Sequence, residues 1–220
     1  LCCELSNKNM DSELISKIPH KTIERLSQYR RALLLCMDQG KTHIFSHEIA
    51  EIQHITAVQV RRDLMLIGYS GNLRKGYNIK NLIMLIGEII DSKDGQRVAI
   101  FGMGNFGRAI SAYFEGRREK LSIVAGFDVN PQKIGSSIAG VPVYPIEKAC
   151  EIIEKEKIKI GIITVPGSAA VEVSELMVKC GIKGILNFSP SPVKVPDDVF
   201  LEEYDMITSL EKVAFYVKEH

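Results

Sequence analysis

Tryptophan is absent, and cysteine is sparse: five residues in 220, with only Cys2 and Cys3 adjacent. No Cys-x-x-Cys pair occurs, so neither a zinc knuckle nor a disulfide framework is expected, and a reducing, cytoplasmic setting is the simple reading. No apolar run reaches the length of a membrane span. The first ten residues carry no apolar signal core, and Met10-Asp11-Ser12 reads as a second candidate start, so these residues are given no weight. Histidine is missing from 55 to 219. That gap removes the acid/base of a histidine-dependent dehydrogenase and the phosphate carrier of a Rossmann-type acyl-CoA ligase subunit. His20, His43, His47 and His54 have no strong ligand spacing, so no metal is expected.

What is present is ordinary for a globular chain of one or two domains: 45% hydrophobic and 25% charged residues. The net charge of +1 hides an asymmetry. Residues 1–80 hold 12 Lys and Arg against 8 Asp and Glu, and residues 81–220 hold 16 against 19. A basic module ahead of an acidic one suggests a nucleic-acid binder joined to something else.

The most informative stretch is Phe101-Gly102-Met103-Gly104-Asn105-Phe106-Gly107. An apolar run from Arg97 ends in G-x-G-x-x-G, and residues 109–114 read as the start of a helix, which is the context a dinucleotide fingerprint requires. Gly102 would make the tight turn, Gly104 would admit a pyrophosphate, and Gly107 would let helix pack on strand. The helix would turn free N–H groups and its positive end toward the phosphates. Residues 121–127 read as the next strand, closed by Asp128 about 20 residues after the last glycine. An acid there accepts from ribose hydroxyls and repels a 2′-phosphate. Val129-Asn130-Pro131 offer no arginine to receive one, so NAD(H) is favoured over NADP(H).

Ahead of this, Pro19 opens a helix with Ile23, Leu26, Leu33, Leu34 and Met37 on one period, ended by Gly40. Ser46 is expected to cap a short helix over 48–52, with Ile49 and Ala50 inward. Thr56 and Gln59 form a capping box for a third helix. That helix puts Ala57, Val60, Leu64 and Ile67 on one face, Val58, Arg62 and Met65 on the other, and Arg61 and Gln59 on the flanks. A basic, amide-bearing face on the second of two short helices suits a major groove, although a solvated surface helix would look alike. Residues 68–77 then read as a basic hairpin, with Arg74 and Lys75 near its tip placed to hold phosphate.

Beyond the hairpin, residues 79–90 form an apolar helix expected between the modules. After Asp128 come a turn at 131–133, an edge-like strand at 141–144, a helix over 146–155, and a buried strand at 158–164. A helix from 168 to Gly181, a strand at 184–188 and a final helix over 209–217 complete the chain. The alternation gives a doubly wound parallel sheet, with ligands at the strands' carboxyl ends. Two such ends, Thr164-Val165-Pro166 and Asn187-Phe188-Ser189-Pro190, are expected to line the nicotinamide side.

The residues quoted above, with Lys17-Ile18-Pro19, Arg25, Tyr29, Gly76-Tyr77-Asn78, Lys133-Ile134-Gly135 and 140–144, give the chain its likeness. From about Lys17 onward it resembles the Rex redox-sensing transcriptional repressors. The resemblance implies a winged-helix DNA-binding domain over 17–78, a connecting helix and linker over 79–95, a Rossmann domain over 96–207 and an exchanged C-terminal helix over 208–220, after an extension over 1–16. It implies a cytoplasmic homodimer on palindromic double-stranded operator DNA, free of membranes, that represses when NADH is scarce and lets go when NADH rises.

Cofactor contacts are then expected from Gly102, Met103, Gly104, Asn105, Phe106, Gly107, Asp128, Val129, Lys133, Thr164, Val165, Pro166, Asn187, Phe188, Ser189 and Pro190. DNA contacts are expected from Arg31, Ser46, Thr56, Gln59, Arg61, Arg62, Arg74 and Lys75, and coupling through Tyr113 and Asp205. No catalytic residue is expected. Two departures stand out. The family's Leu-Pro-Leu-Tyr-Tyr is Leu26-Ser27-Gln28-Tyr29-Arg30 here, and the wing's basic pair is shifted from Asn72 and Leu73 to Arg74 and Lys75. The rival readings are a small NAD-dependent oxidoreductase whose first helices serve dimerisation, and a winged-helix protein that uses a Rossmann fold only as scaffold.

Overall fold

The computed structural model describes residues 18–116 and 120–218. They form two compact units that divide between Lys93 and Asp94. Among the described residues no helix is long and apolar enough to cross a membrane.

The first unit holds helices α1 (His20–Asp38), α2 (Ser46–Gln53), α3 (Ala57–Leu66) and α4 (Ile79–Ile90), with short strands β1 (His43–Ile44) and β2 (Tyr77–Asn78). The strands pair antiparallel, Ile44 opposite Tyr77. Helix α1 buries Thr22, Leu26, Tyr29, Leu33 and Cys36, a stripe at steps of three and four. Leu34 and Met37, expected on that face, are 37% and 39% exposed, because the stripe advances through Tyr29 and Cys36 instead. Gly40 ends the helix at φ +80°, as a left-handed C-terminal residue should.

Helix α2 starts two residues earlier than its sequence suggests. Its N-cap is Phe45, whose N–H donates to the Glu48 carboxylate at 2.7 Å; Ser46 is already inside the helix and does not cap it. At α3, Thr56 Oγ1 accepts the Gln59 N–H at 3.1 Å, but the reciprocal half of the box is replaced. The Gln59 amide instead donates to Asp63 Oδ1 at 3.0 Å. Asp63 is the buried acid of this unit. Arg25 grips it with Nε and Nη2, each at 2.7 Å, and the Tyr29 hydroxyl donates at 2.7 Å.

Helix α4 packs into the core of this unit. Ile79, Leu82, Ile86 and Ile89 are buried in one cluster with Leu26, Tyr29, Leu33, Val60 and Leu64. Each such side chain stabilises the unit by about 1.5–3 kcal/mol, which is why this segment is so apolar. The departure Arg30 is also inside: its Nη1 lies 2.6 Å from Asp91 Oδ2, just past α4.

The second unit is a seven-stranded sheet in the order β5-β6-β4-β3-β7-β8-β9. Its strands are β3 (Gln96–Phe101), β4 (Leu121–Asp128), β5 (Ser137–Ile138), β6 (Val141–Pro145), β7 (Ile160–Ile163), β8 (Gly184–Asn187) and β9 (Phe200–Glu203). All neighbours run parallel except β5 against β6. Without β5, the parallel strands stand in the order 3-2-1-4-5-6 of a dinucleotide-binding sheet. Helices α5 (Asn105–Phe114), α6 (Ala149–Lys155), α7 (Gly167–Lys179) and α8 (Met206–Lys218) complete the unit, with a 3₁₀ turn (Ile146–Lys148) before α6. Ala99 and Phe101 of β3 enter one apolar cluster, Val98 and Ile100 the other, so the sheet is covered on both faces.

Three features depart from the sequence reading. Strand β6 is not the edge, since two-residue β5 lies outside it with Ser137 opposite Pro142. Strand β9 is an additional edge, hidden in the sequence by its acidic pair Glu202-Glu203, the charge an exposed edge tolerates. Cys150 and Cys180, 30 residues apart, form a disulfide. Their separation shows no motif; the fold alone brings α6 and the end of α7 together. Helix α8, placed as a final helix by the sequence, buries no residue within the chain.

Candidate functional site

Where β3 ends, the chain turns through Gly102 at φ +102°. A side chain there would press on Thr164 backbone at 2.9 Å, because Thr164 Oγ1 reaches across to the Phe101 and Gly102 carbonyls at 3.0 and 2.7 Å. Gly107 sits in the first turn of α5, where a Cβ would collide with the Gly102 carbonyl. Gly104 differs: it is the N-cap of α5 and nothing lies within 4 Å of its missing Cβ. So two glycines serve packing and the third opens space in front of a helix N-terminus, where phosphate oxygens are favoured.

Asp128, at the end of β4, is 8% exposed and bound on both oxygens. Oδ2 accepts the Met103 N–H and Lys133 Nζ, each at 2.9 Å, and Oδ1 accepts the Asn130 N–H at 2.8 Å. Burial alone would raise its pKa. The Asn130, Lys133 and Met103 donors outweigh that and hold the carboxyl below the ordinary range, so it is ionised at neutral pH. A carboxylate has about four acceptor positions, so these three donors leave room on Oδ1.

Glycine turn and acid share a cleft of about 800 Å³ at the carboxyl ends of β3, β4 and β7. This is the switch point of the sheet, and the volume is that of a small-ligand site. Gly102, Gly104, Asp128, Val129, Lys133, Thr164, Val165 and Pro166 line it together. Open space at Gly104, the facing helix end and the spare acceptor of Asp128 fit the adenosine and pyrophosphate of a dinucleotide. Met103 reaches the acid only through its N–H, for its side chain is buried against Gly126. Asn105 and Phe106 open α5 behind Gly104.

Asn187, Phe188, Ser189 and Pro190, expected on the nicotinamide side, do not line this cleft. Asn187 spends its amide on its own loop: Nδ2 donates to Ser191 O at 2.9 Å, and Oδ1 accepts the Ser189 N–H at 2.9 Å. The Phe188 ring stands edge-on between Phe106 and Tyr204, with centroids 5.2 and 5.5 Å away. The sequence reading also missed wall residues Ile146, Ala169 and Val173. Ile146 follows β6 at the same sheet end, and the other two share one face of α7, so the strand order would have found them. Tyr144 and Lys148, passed over there, have the Tyr-x-x-x-Lys spacing of a tyrosine-based reductase. They lie on β6 and the 3₁₀ turn and line a separate cleft, with the Tyr144 ring 6.2 Å from that of Phe127.

In the first unit, Arg61, Arg62, Val58 and Met65 of α3 are exposed, and Arg61 Nη1 meets Ser46 Oγ at 3.2 Å. Gln59 and Thr56 are occupied by the helix itself, through Asp63 and the N-cap. Arg31 is exposed on α1. The hairpin closes between Asn72 and Gly76, and Asn72 Oδ1 accepts the Arg74 and Lys75 N–H groups at 2.8 and 3.2 Å. Asn72 therefore makes the turn and Leu73 stands fully exposed, which leaves the basic pair to the next two positions. Tyr113 is exposed on α5, its ring edge-on to Phe114 at 5.7 Å. Asp205 caps α8, accepting the Ile207 N–H at 2.8 Å and the Thr208 hydroxyl at 2.6 Å.

Residues 93–191 match the family model described as "CoA binding domain", and residues 17–64 match "Putative DNA-binding protein N-terminus". The redox-sensing transcriptional repressor Rex of Pelotomaculum thermopropionicum is 40% identical over 199 residues, 90% of this chain and 93% of that one. RSP, a Rex-family repressor, is similar in structure. Its complex with NAD⁺ and operator DNA superposes with a TM-score of 0.84 at 34% identity, covering 92% of this chain and 93% of that one. Its complex with NADH gives 0.82 at 33%, covering 92% and 95%. The likeness runs along nearly the whole length of these repressors, and the chain belongs to the Rex family of redox-sensing transcriptional repressors.

Proposed function

We propose that this protein holds operator DNA as a two-fold dimer while NADH is scarce and releases it when NADH binds, without turning the cofactor over. The observation that carries the reading is the tie between the glycine turn and the ribose acid: the Met103 N–H on Asp128, at the switch point of the sheet. RSP has been solved both with NAD⁺ on operator DNA and with NADH, which supports the same pair of states here. The histidine gap and the placement of Tyr144 and Lys148 outside the cleft leave neither a histidine nor a Tyr-x-x-x-Lys pair for an oxidoreductase of those two classes, which favours the sensor reading. Exposed apolar residues along α8, Ile207, Leu210, Val213 and Val217 among them, support its exchange onto a partner copy. Tyr113 and Asp205 are the proposed couplers. The protein works in the compartment that holds the genome. Gel shifts titrated separately with NADH and NAD⁺ test the reading: NADH should release operator and NAD⁺ should not, and release by both or neither refutes it.

In the cleft, Asp128 would take the adenosine ribose hydroxyls, α5 the pyrophosphate, and Val129 and Ile146 the adenine faces. The bound cofactor supplies only its oxidation state as signal. Asp128→Ala removes charge-assisted acceptors and is expected to weaken NADH by about 1.5–3 kcal/mol while raising relative preference for NADPH. Fluorescence titration with both dinucleotides reads this; unchanged NADH affinity contradicts the assignment.

On the DNA side, Arg62 would read a guanine edge. Arg62→Ala is expected to cost about 1–3 kcal/mol and to relax preference at one base pair per half-site. Arg74→Ala and Lys75→Ala should instead lower affinity evenly across sequences and shrink the salt slope by about one per residue and half-site. Binding of operator and random duplexes across a salt series separates the two kinds, and equal losses on both duplexes for Arg62→Ala would count against direct readout.

A further inference from the structure

Cys150 lies on α6 and Cys180 at the C-terminal end of α7, with Cα atoms 4.6 Å apart and their sulfurs bonded. Cys150 is exposed and Cys180 half-buried, so small thiols can reach the pair; Cys36 is a buried free thiol. Helix α7 and the 3₁₀ turn that leads directly into α6 are walls of the dinucleotide cleft. Ile146 and Glu147, about one turn before Cys150, line it, and so do Leu176 and Lys179, just before Cys180. A repressor on operator DNA works in a reducing compartment, where a surface disulfide is a transient, redox-sensing bond.

We propose that Cys150 and Cys180 are a reversible thiol–disulfide pair that sets how firmly the cleft is held, giving the protein a thiol-based redox input beside NADH. The inference rests on the cofactor reading above. The oxidant is a low-molecular-weight disulfide. One cysteine thiolate attacks it, forming a mixed disulfide and expelling one small thiolate. The second cysteine's thiolate attacks the mixed disulfide and expels the other. The protein gives up two electrons to the small disulfide, and the two thiol protons end on the two small thiols released. A small thiol in excess runs both exchanges backward. The bond fixes α6 against α7 and so pre-organises the cleft wall; reduction frees it, and binding must then order it. Oxidised protein therefore binds NADH more tightly and leaves DNA at lower NADH.

The experiment uses the full chain in buffers of set reduced-to-oxidised glutathione ratio. Alkylation with mass spectrometry reads the pair, which also separates it from Cys2 and Cys3, and NADH titration reads affinity in the same samples. The pair should interconvert across the series, with NADH binding roughly fivefold weaker in the reduced protein. The Cys150→Ser, Cys180→Ser double variant should hold the weaker affinity at every ratio. A pair that stays in one state, or an affinity equal in both states, overturns the thiol input and leaves the cofactor reading standing. No NADH binding in either state or in the variant overturns the cofactor reading and the thiol input with it.

Discussion

Asp63→Ala is expected to destabilise the first unit by about 3 kcal/mol and to weaken operator binding with it. Asp63 is 2% exposed and receives Arg25 through two nitrogens, the Tyr29 hydroxyl and the Gln59 amide. Removing the acid strands a cation and a buried hydroxyl, a loss of about 3–5 kcal/mol for a buried pair. The lower end applies because the Arg25 side chain is 21% exposed and can turn to water. Since Asp63 joins α1 to α3, its loss also unseats the helix that carries Arg61 and Arg62. Hydrogen exchange should show the change in α1 and α3 amides and spare β3 and β4; uniform protection in both proteins would contradict it.

The same network sets a pH window. Burial raises the Asp63 pKa, but the hydrogen bonds of Arg25, Tyr29 and Gln59 outweigh it and the net direction is down. A depressed carboxyl contributes stability that is full above its unfolded value, about 3.9, and is lost as pH falls through the lower folded one. Tyr29 moves the other way, upward, through burial first and then its bond to Asp63. Its contribution is full below the unfolded value, about 10, and is lost as pH rises beyond it. The parent should thus show an acid arm in the protection of α1 that Asp63→Ala lacks, and an alkaline arm that the variant keeps in weakened form, because burial still raises Tyr29.

Much of this was legible in the sequence, and what was not has identifiable causes. The glycine turn, Asp128 and the limits of α4 could be read because each follows from local rules: positive φ, strand–turn–helix spacing, a period of 3.6. The partners of Asp63 could not, since nothing in Gln59-Val60-Arg61-Arg62-Asp63 says that the acid faces inward while its neighbours face out. The apolar period that takes in Leu34 and Met37 points to one face of α1, whereas Tyr29 takes the stripe and buries its ring. The Cys150–Cys180 bond and β9 are products of strand order, which joins segments far apart in the chain. Asn187 was placed at the cofactor because it ends a strand; its own loop consumes its amide. Strand ends locate a site, but competing local acceptors decide which side chains are free to serve it.

Operator DNA is expected to weaken NADH by the factor by which NADH weakens operator binding, with NAD⁺ affected far less or oppositely. The two cofactor forms share adenosine, ribose and pyrophosphate, so Gly102, Gly104, Gly107 and Asp128 cannot tell them apart. The difference lies in the charge and planarity of the nicotinamide ring, and the selecting contacts must lie where that ring sits. Since Asn187 is consumed by its own loop, the proposed selectors are the Thr164-Val165-Pro166 turn and a partner copy's α8 near Asp205. A ligand moves an equilibrium only by its differential affinity for the two states. Taking a dimer from almost wholly DNA-competent to almost wholly incompetent needs about 5.5 kcal/mol of such preference, some 10⁴-fold. Linkage makes that quantity reciprocal. Asp205 caps α8 from an exposed position, so Asp205→Ala should loosen the helix start and lower the coupling more than it lowers NADH affinity. Titrating NADH with and without saturating operator measures both quantities in parent and variant. An NADH affinity indifferent to operator would sink the sensor mechanism, because a cofactor that does not feel the DNA cannot release it.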